Sequence, residues 1–277
     1  MSPLMSSIKT VYVERPNKAI LLEDCHFYHI QDLPGLSEPT KGLYDLRANV
    51  NNYLGNVDFK NKTVLEIGPS SGYLTFHMEK LGGDITAVDL GNNNKRDIVR
   101  RAKHNWQKES KDFMQKEEGK TNGFWYAHKA HNSNAKLVHC HINELPYDIG
   151  FFDISTVCAT LFSIQNPFLA LEKVLSHTKE KIIVTELGGY SRIKSPKNLI
   201  LNLFKKNKDP IMQFLPEETR APFKWWKLSP EIIINMAKIL GFEKSKVNYH
   251  KQIANGKIVF FFTVVCERTV PIKSCNY

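Results

Sequence analysis

The chain has 277 residues, of which 42% are hydrophobic, so it can bury one sizeable core and is most simply one domain with extensions. Its five cysteines are widely spaced and contain no C-x-x-C pair, which argues against a disulfide framework or a zinc ribbon and favours a reducing compartment. The formal net charge of +10 is compatible with nucleic-acid binding, with a basic surface that serves solubility, or with an acidic small substrate.

Residues 1–41 are interpreted as an N-terminal extension. Strand-like runs at 8–13 and 19–22 predict a small hairpin or an extension of a sheet edge. The start shows no signal-peptide pattern, and the longest apolar run of the chain, Ile258–Cys266, is too short to span a bilayer. We therefore expect a cytoplasmic protein that does not insert into a membrane.

A helix is predicted over 42–54, directly before the first predicted strand of the central unit. Its apolar residues recur at helical spacing: Leu43, Leu46, Val50 and Tyr53. Tyr44, Arg47 and Asn51 share another face of such a helix. That face either lies over a ligand or is solvated.

The most informative pattern in the sequence is E-x-G-x-x-x-G at 66–72. It joins a predicted strand over 62–67 to a helix over 71–81, and a second strand over 84–89 follows. A strand, a glycine-bounded turn, a helix and a parallel strand are typical of a βαβ nucleotide-binding unit. A ligand is therefore expected over the turn.

The residue types in this unit suit a nucleoside. Gly68 and Gly72 allow the backbone to turn sharply and approach a ligand, and Asp89 at the tip of the second strand can accept hydrogen bonds from both hydroxyls of a ribose. The turn has neither the G-x-G-x-x-G of a dinucleotide site nor the Gly-Lys-Ser/Thr of a phosphate loop. A generic nucleotide-binding turn with another ligand is the alternative.

A highly charged stretch at about 92–123 is interpreted as a helical insertion with one packed stripe and a wet basic face, or as a nucleic-acid binding surface. A helix over 123–130 and a strand over 135–141 follow. That strand contains three neighbouring potential ligands, His139, Cys140 and His141. Alternate side chains of a strand face opposite ways, so we expect no metal site there.

Two further strands complete the parallel pattern. One covers 151–158, and the other covers 181–186 and ends in Glu186. Between them, Asn166 is predicted to cap a helix that has proline at its first position. If the sheet is parallel, Glu186 and Asp89 end at the same crevice.

The stretch 188–227 shows no strand pattern. We interpret 188–228 as a cap over the active site, with a helix beginning at Ser195, and binding to a membrane surface is the alternative for that helix. The aromatic cluster at 223–226 is either core or a substrate wall.

The end of the chain is predicted to be a helix followed by a hairpin. The helix begins after Ser229 and ends at Gly241, and the strands at 242–250 and 257–267 are joined through Asn255-Gly256. Such a hairpin adds an antiparallel edge to the sheet.

The pattern at 66–72 resembles motif I of the class I S-adenosylmethionine (SAM) methyltransferases. The likeness extends to Leu33-Pro34-Gly35, Tyr44-Asp45-Leu46-Arg47, Phe124-x-x-Ala127-His128, Gln165-Asn166-Pro167 and Trp225-Trp226 before Ser229-Pro230. Together these segments resemble the branch related to the tRNA wobble-uridine carboxymethyltransferase, which includes stand-alone enzymes that act on small molecules and glycans. The sequence departs from that branch at Leu43, where Trp is common, and at Ser163, where many relatives carry His.

The resemblance implies an α/β fold with a Rossmann-like, seven-stranded methyltransferase sheet, an antiparallel C-terminal hairpin at its edge, and helices on both faces. It places a methyltransferase domain over 42–277, with the helical insertion at about 92–123 and the active-site cap at about 188–228.

The resemblance also implies the site. In that family the glycine turn cradles the amino-acid half of SAM, and the acid of the second strand holds the ribose. The residues expected around SAM are Tyr44, Arg47, Glu66, Gly68, Pro69, Ser70, Gly72, Asp89, Leu90, His141, Ile142, Asn143 and Ala159. Trp225 and Trp226 are expected on the substrate side, and Glu186 and His128 are the candidates for proton handling.

The function expected from this resemblance is SAM-dependent methyl transfer to a hydroxyl of a small molecule or glycan, with an amine or carbon as other acceptors. One alternative is a tRNA-modifying methyl or carboxymethyltransferase, which the basic charge favours. The other is a protein that binds SAM or S-adenosylhomocysteine (SAH) without catalysis, because the sequence shows no clear base.

Overall fold

The computed structural model describes residues 9–91, 96–99, 106–188, 209–216 and 223–271. Its strands, in chain order, are β1 (Tyr44–Asp45), β2 (Thr63–Ile67), β3 (Asp84–Asp89), β4 (Lys136–His139), β5 (Phe152–Cys158), β6 (Thr178–Leu187), β7 (Met212–Phe214), β8 (Trp226–Leu228), β9 (Lys244–Ala254) and β10 (Lys257–Glu267). Its helices are α1 (Val50–Tyr53), α2 (Tyr73–Lys80), α3 (Trp106–Ala130), α4 (Pro167–Ser176) and α5 (Pro230–Ile239).

The main sheet has eight strands in the order β1-β9-β10-β6-β5-β2-β3-β4. The strands from β6 to β4 in this order are all parallel, and β10 joins β6 antiparallel with Phe262 opposite Glu186. The hairpin partner β9 pairs antiparallel with β10. This arrangement confirms the predicted Rossmann-like α/β sheet with an antiparallel hairpin at its edge. The eighth strand is β1, which pairs with the end of β9.

Helices cover both faces of the sheet because its strands are apolar on both sides. In β2, Val64 joins the core cluster that contains residues of α1 and α2, and Leu65 joins the cluster on the other face with α4 and α5. Ile183 and Val184 of β6 divide in the same way. Alternate residues of a strand face opposite sides, so two apolar neighbours require two covered faces.

The predicted helix over 42–54 is wrong for its first half. Residues 44–45 form β1 instead, where Tyr44 is opposite Ala254 and Asp45 is opposite Ile253. Helical structure is confined to α1, at Val50–Tyr53. Pairing with a sheet edge, a contact between distant parts of the chain, outweighs the local helical spacing.

The N-terminal segment runs along the edge of the sheet. Tyr12 makes an isolated antiparallel bridge to Val138, and the Val13 amide donates to the carbonyl of Leu137 at 2.8 Å. Residues 22–24, next to the second strand-like run, form a short 3-10 helix. Of the two predictions for this segment, the structure has the edge extension.

The structure also bears on the predictions for residues 188–227 and for the charged insertion. Residues 188–227, where no strand was expected, contain β7 and the first two residues of β8, and these two strands form a separate antiparallel pair. The predicted helix from Ser195 lies outside the described residues. In the insertion, described residues from Trp106 onward belong to α3, which continues through the predicted helix over 123–130. Within the described parts of the chain, no helix is long and apolar enough to cross a membrane.

Candidate functional site

A cavity of about 480 Å³ opens at the carboxyl ends of the parallel strands. Gly68 follows β2, Asp89 ends β3, and Ala159 follows β5; all three line it. This is the edge of the sheet where ligands bind in open α/β folds. The cavity is therefore the candidate site.

The turn after β2 has the backbone that the glycine spacing predicts. Gly68 has φ +77° and Gly72 has φ +83°, which is the left-handed region that favours glycine. A Cβ on Gly68 would lie 2.8 Å from the Thr160 hydroxyl oxygen, and one on Gly72 would lie 2.3 Å from the ring of Phe76. Any other residue at either position would force this turn away from its neighbours.

Asp89 is fixed at the tip of β3 by backbone donors. The Ser70 amide donates to its Oδ2 at 3.1 Å, and the Leu90 amide donates to its Oδ1 at 2.7 Å. A carboxylate oxygen has two lone pairs, so each oxygen can accept a second hydrogen bond from a ligand. The two bonds orient the carboxylate in advance.

Glu66 lies behind the turn and is not a lining residue of the cavity. Its carboxyl is buried, and the Thr75 hydroxyl of α2 donates to it. Burial raises the pKa of Glu66 to about 8, partly offset by the Thr75 hydrogen bond and reinforced by nearby Asp89. Glu66 thus connects β2 to α2 and stabilises the turn between them.

The next wall comes from the segment after β4. His141 and Ile142 line the cavity, and His141 Nδ1 accepts the Asn143 amide at 3.2 Å, so the side chain caps a short 3-10 helix. Asn143 is not a lining residue, but its Oδ1 and the Ser70 hydroxyl are buried and have no hydrogen-bond partner among the described residues. Such groups need a partner, and a bound ligand can supply one.

Segment 96–99 is tied to the residues after β5 and to those before β8 through Asp97. Its Oδ2 accepts the Gln165 amide at 2.7 Å, and its carbonyl accepts the indole N–H of Trp225 at 2.9 Å. Trp226 donates to the carbonyl of Gln165 at 3.1 Å. The two tryptophans thus hydrogen-bond to backbone carbonyls and are not lining residues of the cavity. From this region the cavity is lined by Phe223 and Lys224.

Part of the cavity wall comes from the N-terminal segment, which sequence reasoning missed. Tyr28 and His29 line the cavity, and the Tyr28 amide donates to the Ser71 hydroxyl at 3.0 Å. His29 pairs with Tyr44 in an isolated parallel bridge, and a Cβ on Gly42 would lie 2.5 Å from the His29 backbone. The available signal was the aromatic run at 26–29, just before the Leu-Pro-Gly turn.

The predicted residues that line the cavity are Tyr44, Gly68, Pro69, Ser70, Asp89, Leu90, His141, Ile142 and Ala159. Arg47 is not among the lining residues; it pairs with Asp45 at 2.8 Å and with Asp32 at 2.7 Å. Gly72 also lies outside the lining.

The two candidates for proton handling do not line the cavity either. Glu186 is buried and accepts the Phe162 amide at 3.3 Å, so it holds the loop after β5. Burial raises its pKa to about 8, against the lowering effect of the amides of residues 160–162. His128 Nε2 lies 3.1 Å from the Ala135 carbonyl, and its ring packs on Phe124 and Trp125.

No family model matches the chain, and no curated protein matches it. Among solved structures, it is similar to magnesium protoporphyrin IX methyltransferase from Synechocystis with bound SAH, at 9% identity over 81% of this chain and 82% of that chain, with a TM-score of 0.47. It is similar to a SAM-dependent methyltransferase from Aquifex aeolicus at 15% identity over 82% of this chain and 91% of that chain, with a TM-score of 0.45. The fold assignment rests on the strand order and directions of the chain itself.

Proposed function

We propose that this chain is a class I SAM-dependent methyltransferase that methylates a hydroxyl of a small molecule or glycan. The observation that carries the proposal is the pairing of the turn with Asp89. Two left-handed glycines, Gly68 and Gly72, shape a turn whose Ser70 amide fixes the Asp89 carboxylate in the lining of a cavity of about 480 Å³. The cavity volume suits a nucleoside and a small acceptor.

The residues present fit SAM. Asp89 would accept the ribose hydroxyls, and the Ser70 hydroxyl, which lines the same cavity and has no hydrogen-bond partner among the described residues, offers a further polar contact. The apolar side chains of Leu90 and Ile142 would flank the base. When bound, SAM supplies a methyl group activated by the adjacent sulfonium.

The protein's own contribution is to position the acceptor and exclude water. Methyl transfer is an in-line displacement, so alignment in a dry site provides much of the rate. Tyr28, Tyr44 and Phe162 line the cavity with aromatic surface. A hydroxyl acceptor also needs a proton acceptor.

We propose His29 as the group that accepts a hydrogen bond from the acceptor hydroxyl. It lines the cavity, and its Nδ1 is buried without a hydrogen-bond partner among the described residues. Burial lowers its pKa to about 3, with a smaller effect of Lys120, so the ring is neutral at neutral pH and orients the hydroxyl without keeping its proton, which passes on to solvent. A neutral imidazole has one donor and one acceptor nitrogen. Glu186 and His128, the other candidates for proton handling, do not line the cavity, so either would act on the reaction only indirectly.

A tRNA-modifying enzyme is the second candidate, favoured by the net charge of +10. Methyl acceptance from labelled SAM in a cell extract, before and after RNase treatment, separates the two. Loss of acceptance after RNase would select tRNA. Retained binding of SAH without transfer to any fraction would select a non-catalytic binding protein.

The direct test of the proposal is calorimetry of SAH binding to the full chain and to Asp89→Asn. Loss of one charge-assisted hydrogen bond costs about 1.5–3 kcal/mol, so we expect affinity to fall about tenfold to 150-fold. Asp84→Asn is the matched control, because Asp84 is an exposed carboxylate at the other end of the same strand. No heat with SAH for the unmodified chain would overturn the proposal.

A further inference from the structure

We propose that the methyl acceptor is a phenol, whose aromatic ring packs against the tyrosines of the cavity wall while its hydroxyl faces His29. This inference rests on the proposed function and names the acceptor class for the same site. It places the acceptor hydroxyl on an aromatic ring and not on a sugar or another aliphatic carbon.

One side of the cavity is a connected set of aromatic rings, here called the aromatic wall: Tyr28, His29, Tyr44 and Tyr53. The ring centre of Tyr28 lies 5.3 Å from that of Tyr44 and 5.0 Å from that of His29. Tyr44 and Tyr53 each pack edge-on against Phe261 of β10, at 6.0 and 5.3 Å. Aromatic rings pair at separations of about 4.5–7 Å, so the wall suits a planar aromatic ligand.

The backbone of the aromatic wall is fixed by contacts with other parts of the fold. The Tyr28 amide donates to the Ser71 hydroxyl at 3.0 Å, and the Tyr44 carbonyl accepts the amide of Ile30 at 2.8 Å. The Tyr53 carbonyl accepts the Thr185 hydroxyl at 2.7 Å. A wall that is already ordered loses little entropy when a ring packs against it, which favours binding.

The loop after β5 favours a ligand with few hydroxyls. Phe162 of this loop lines the cavity, as does Leu187 at the end of β6. The loop hydroxyls donate within the loop, Thr160 to the Cys158 carbonyl at 3.0 Å and Ser163 to the Thr160 carbonyl at 2.7 Å. A sugar has a hydroxyl on most of its carbons, and each one that is buried needs a partner. A phenol needs a partner only for the hydroxyl that faces His29.

The acidity of a phenol suits the group that faces it. His29 Nδ1 is buried without a hydrogen-bond partner among the described residues, so it can accept the hydroxyl proton in a hydrogen bond. The proton itself passes to solvent, because burial lowers the pKa of His29 to about 3. A phenol has a pKa of about 10, whereas an alkyl hydroxyl is about as weak an acid as water, at about 16. At pH 7 the ionised fractions are therefore about 10⁻³ and about 10⁻⁹.

Lys120 favours the ionised form of a hydroxyl at this position. Its Nζ lies 5.3 Å from the centre of the Tyr28 ring, and its charge adds to the effect of burial in lowering the pKa of His29. A positive charge that disfavours an imidazolium favours a phenolate at the same place. Glu117, which pairs with Lys120 at 2.6 Å, moderates this effect.

The transfer step balances without a further reactant. The phenol O–H bond breaks and its proton goes to solvent. The electron pair on oxygen forms the bond to the methyl carbon, and the carbon–sulfur bond of the sulfonium breaks with its electron pair left on sulfur. The products are a neutral methyl ether and SAH.

The first experiment identifies the carbon that carries the acceptor hydroxyl. The full chain is incubated with methyl-labelled SAM and a cell extract, and the labelled product and its unmethylated precursor are purified. Ultraviolet spectra are recorded at neutral and at high pH, because a phenol ionises and its methyl ether does not. We expect the label on an aromatic compound that has one phenolic ionisation fewer than its precursor.

The outcomes of this experiment separate the inference from the proposed function. Label on a sugar or another aliphatic hydroxyl would overturn the inference and leave the proposed function in place. Label only in RNase-sensitive material would overturn both. Label in no fraction would overturn the proposed function, and the heat of SAH binding would then show whether the chain still binds the nucleoside.

The second experiment tests the aromatic wall by calorimetry of the purified precursor with SAH present, so that binding is measured without transfer. Tyr28→Leu removes one ring, and we expect the Kd of the precursor to rise about fivefold. Tyr28→Phe keeps the ring and should restore most of the loss. Tyr147→Leu, at an exposed position outside the lining, is the control. If Tyr28→Leu does not fold, Tyr44→Leu serves as the second variant. An unchanged Kd in the folded variant would overturn the assignment of the aromatic wall.

Discussion

At the scale of single residues, the site depends on carboxyl groups that never contact the cavity. Glu66 and Glu186 are each 2% exposed, and each holds a loop that does line it. Burial raises the pKa of both to about 8, so folding is coupled to proton binding. These side chains are recognisable in the sequence as strand-end acids, but their supporting role is visible only from their partners.

The coupling predicts a pH dependence that Glu66→Gln should weaken. The pKa of Glu66 rises from 4.5 to about 8 on folding, so the folded state binds the proton more tightly. Its contribution to stability is complete below pH 4.5 and is lost as the pH rises through about 8. Glutamine stays neutral and can still accept the Thr75 hydroxyl. Urea midpoints measured from pH 5 to pH 8 should fall less steeply for the variant than for the unmodified chain.

Glu38→Gln provides the comparison, since Glu38 is exposed. Its midpoints should follow those of the unmodified chain at every pH. Parallel curves for Glu66→Gln and the unmodified chain would show that Glu66 does not bind its proton more tightly in the folded state.

Some residues of the site are positioned by contacts between neighbours in the sequence, and others by contacts between distant parts of the chain. Gly68, Gly72 and Asp89 could be found in the sequence because a strand, a turn and a strand fix them locally. Tyr28 and His29 could not, because they reach the cavity through irregular backbone that pairs with Ser71 and Tyr44. A contact of this kind leaves no periodic pattern.

At the scale of elements, local signals succeed where a segment is apolar and bounded by turn residues. The prediction for β3, over 84–89, matches its observed bounds, and β2 and β5 differ by one residue at their starts. The short strands β1, β7 and β8 were missed because their main determinants are their pairing partners: β9 for β1, and each other for β7 and β8. Strands of two or three residues carry too few positions to show alternation.

Helix caps at this scale predict a difference between two substitutions. Both α4 and α5 begin with a polar cap followed by proline. Asn166 accepts one amide, that of Leu169, so Asn166→Ala should cost about 1 kcal/mol. The Ser229 hydroxyl accepts the amides of Ile232 and Ile211 and donates to the Asp209 carbonyl, so it joins α5 to the start of β7.

Ser229→Ala should therefore cost about 2 kcal/mol, roughly twice as much as Asn166→Ala. Urea unfolding of the two variants under the same conditions measures the difference. Equal losses would mean that the bonds to the residues before β7 contribute nothing to stability.

At the scale of the whole molecule, the N-terminal segment is built into the fold. Phe27 and Leu33 are buried in a core cluster with Phe124 and Trp125 of α3. Gln31 donates from Nε2 to the Ser71 carbonyl at 2.9 Å, at the start of α2. We therefore propose that the domain that holds the cavity begins well before residue 42, although its sheet begins with β1.

Removal of residues 1–30 tests this boundary. The deletion takes away Tyr28 and His29 from the cavity wall and Phe27 from the core, so we expect SAH affinity to fall at least about tenfold and the urea midpoint to drop. Lys18→Ala, at an exposed position of the same segment, is the control and should leave both unchanged.

A point variant keeps the test informative if the shortened chain does not fold. Ser71→Ala removes the hydroxyl that accepts a hydrogen bond from the Tyr28 backbone amide, and the side-chain Nε2 of Gln31 also donates to it at 3.3 Å. A lost hydrogen bond of this kind costs about 1 kcal/mol, so SAH affinity should fall by about fivefold if the segment helps to form the site. Hydrogen exchange at Tyr28 should quicken in parallel. If the chain without residues 1–30 kept its affinity for SAH, or if exchange quickened in Ser71→Ala with no change in affinity, the segment would be an appendage to a domain that begins at residue 42.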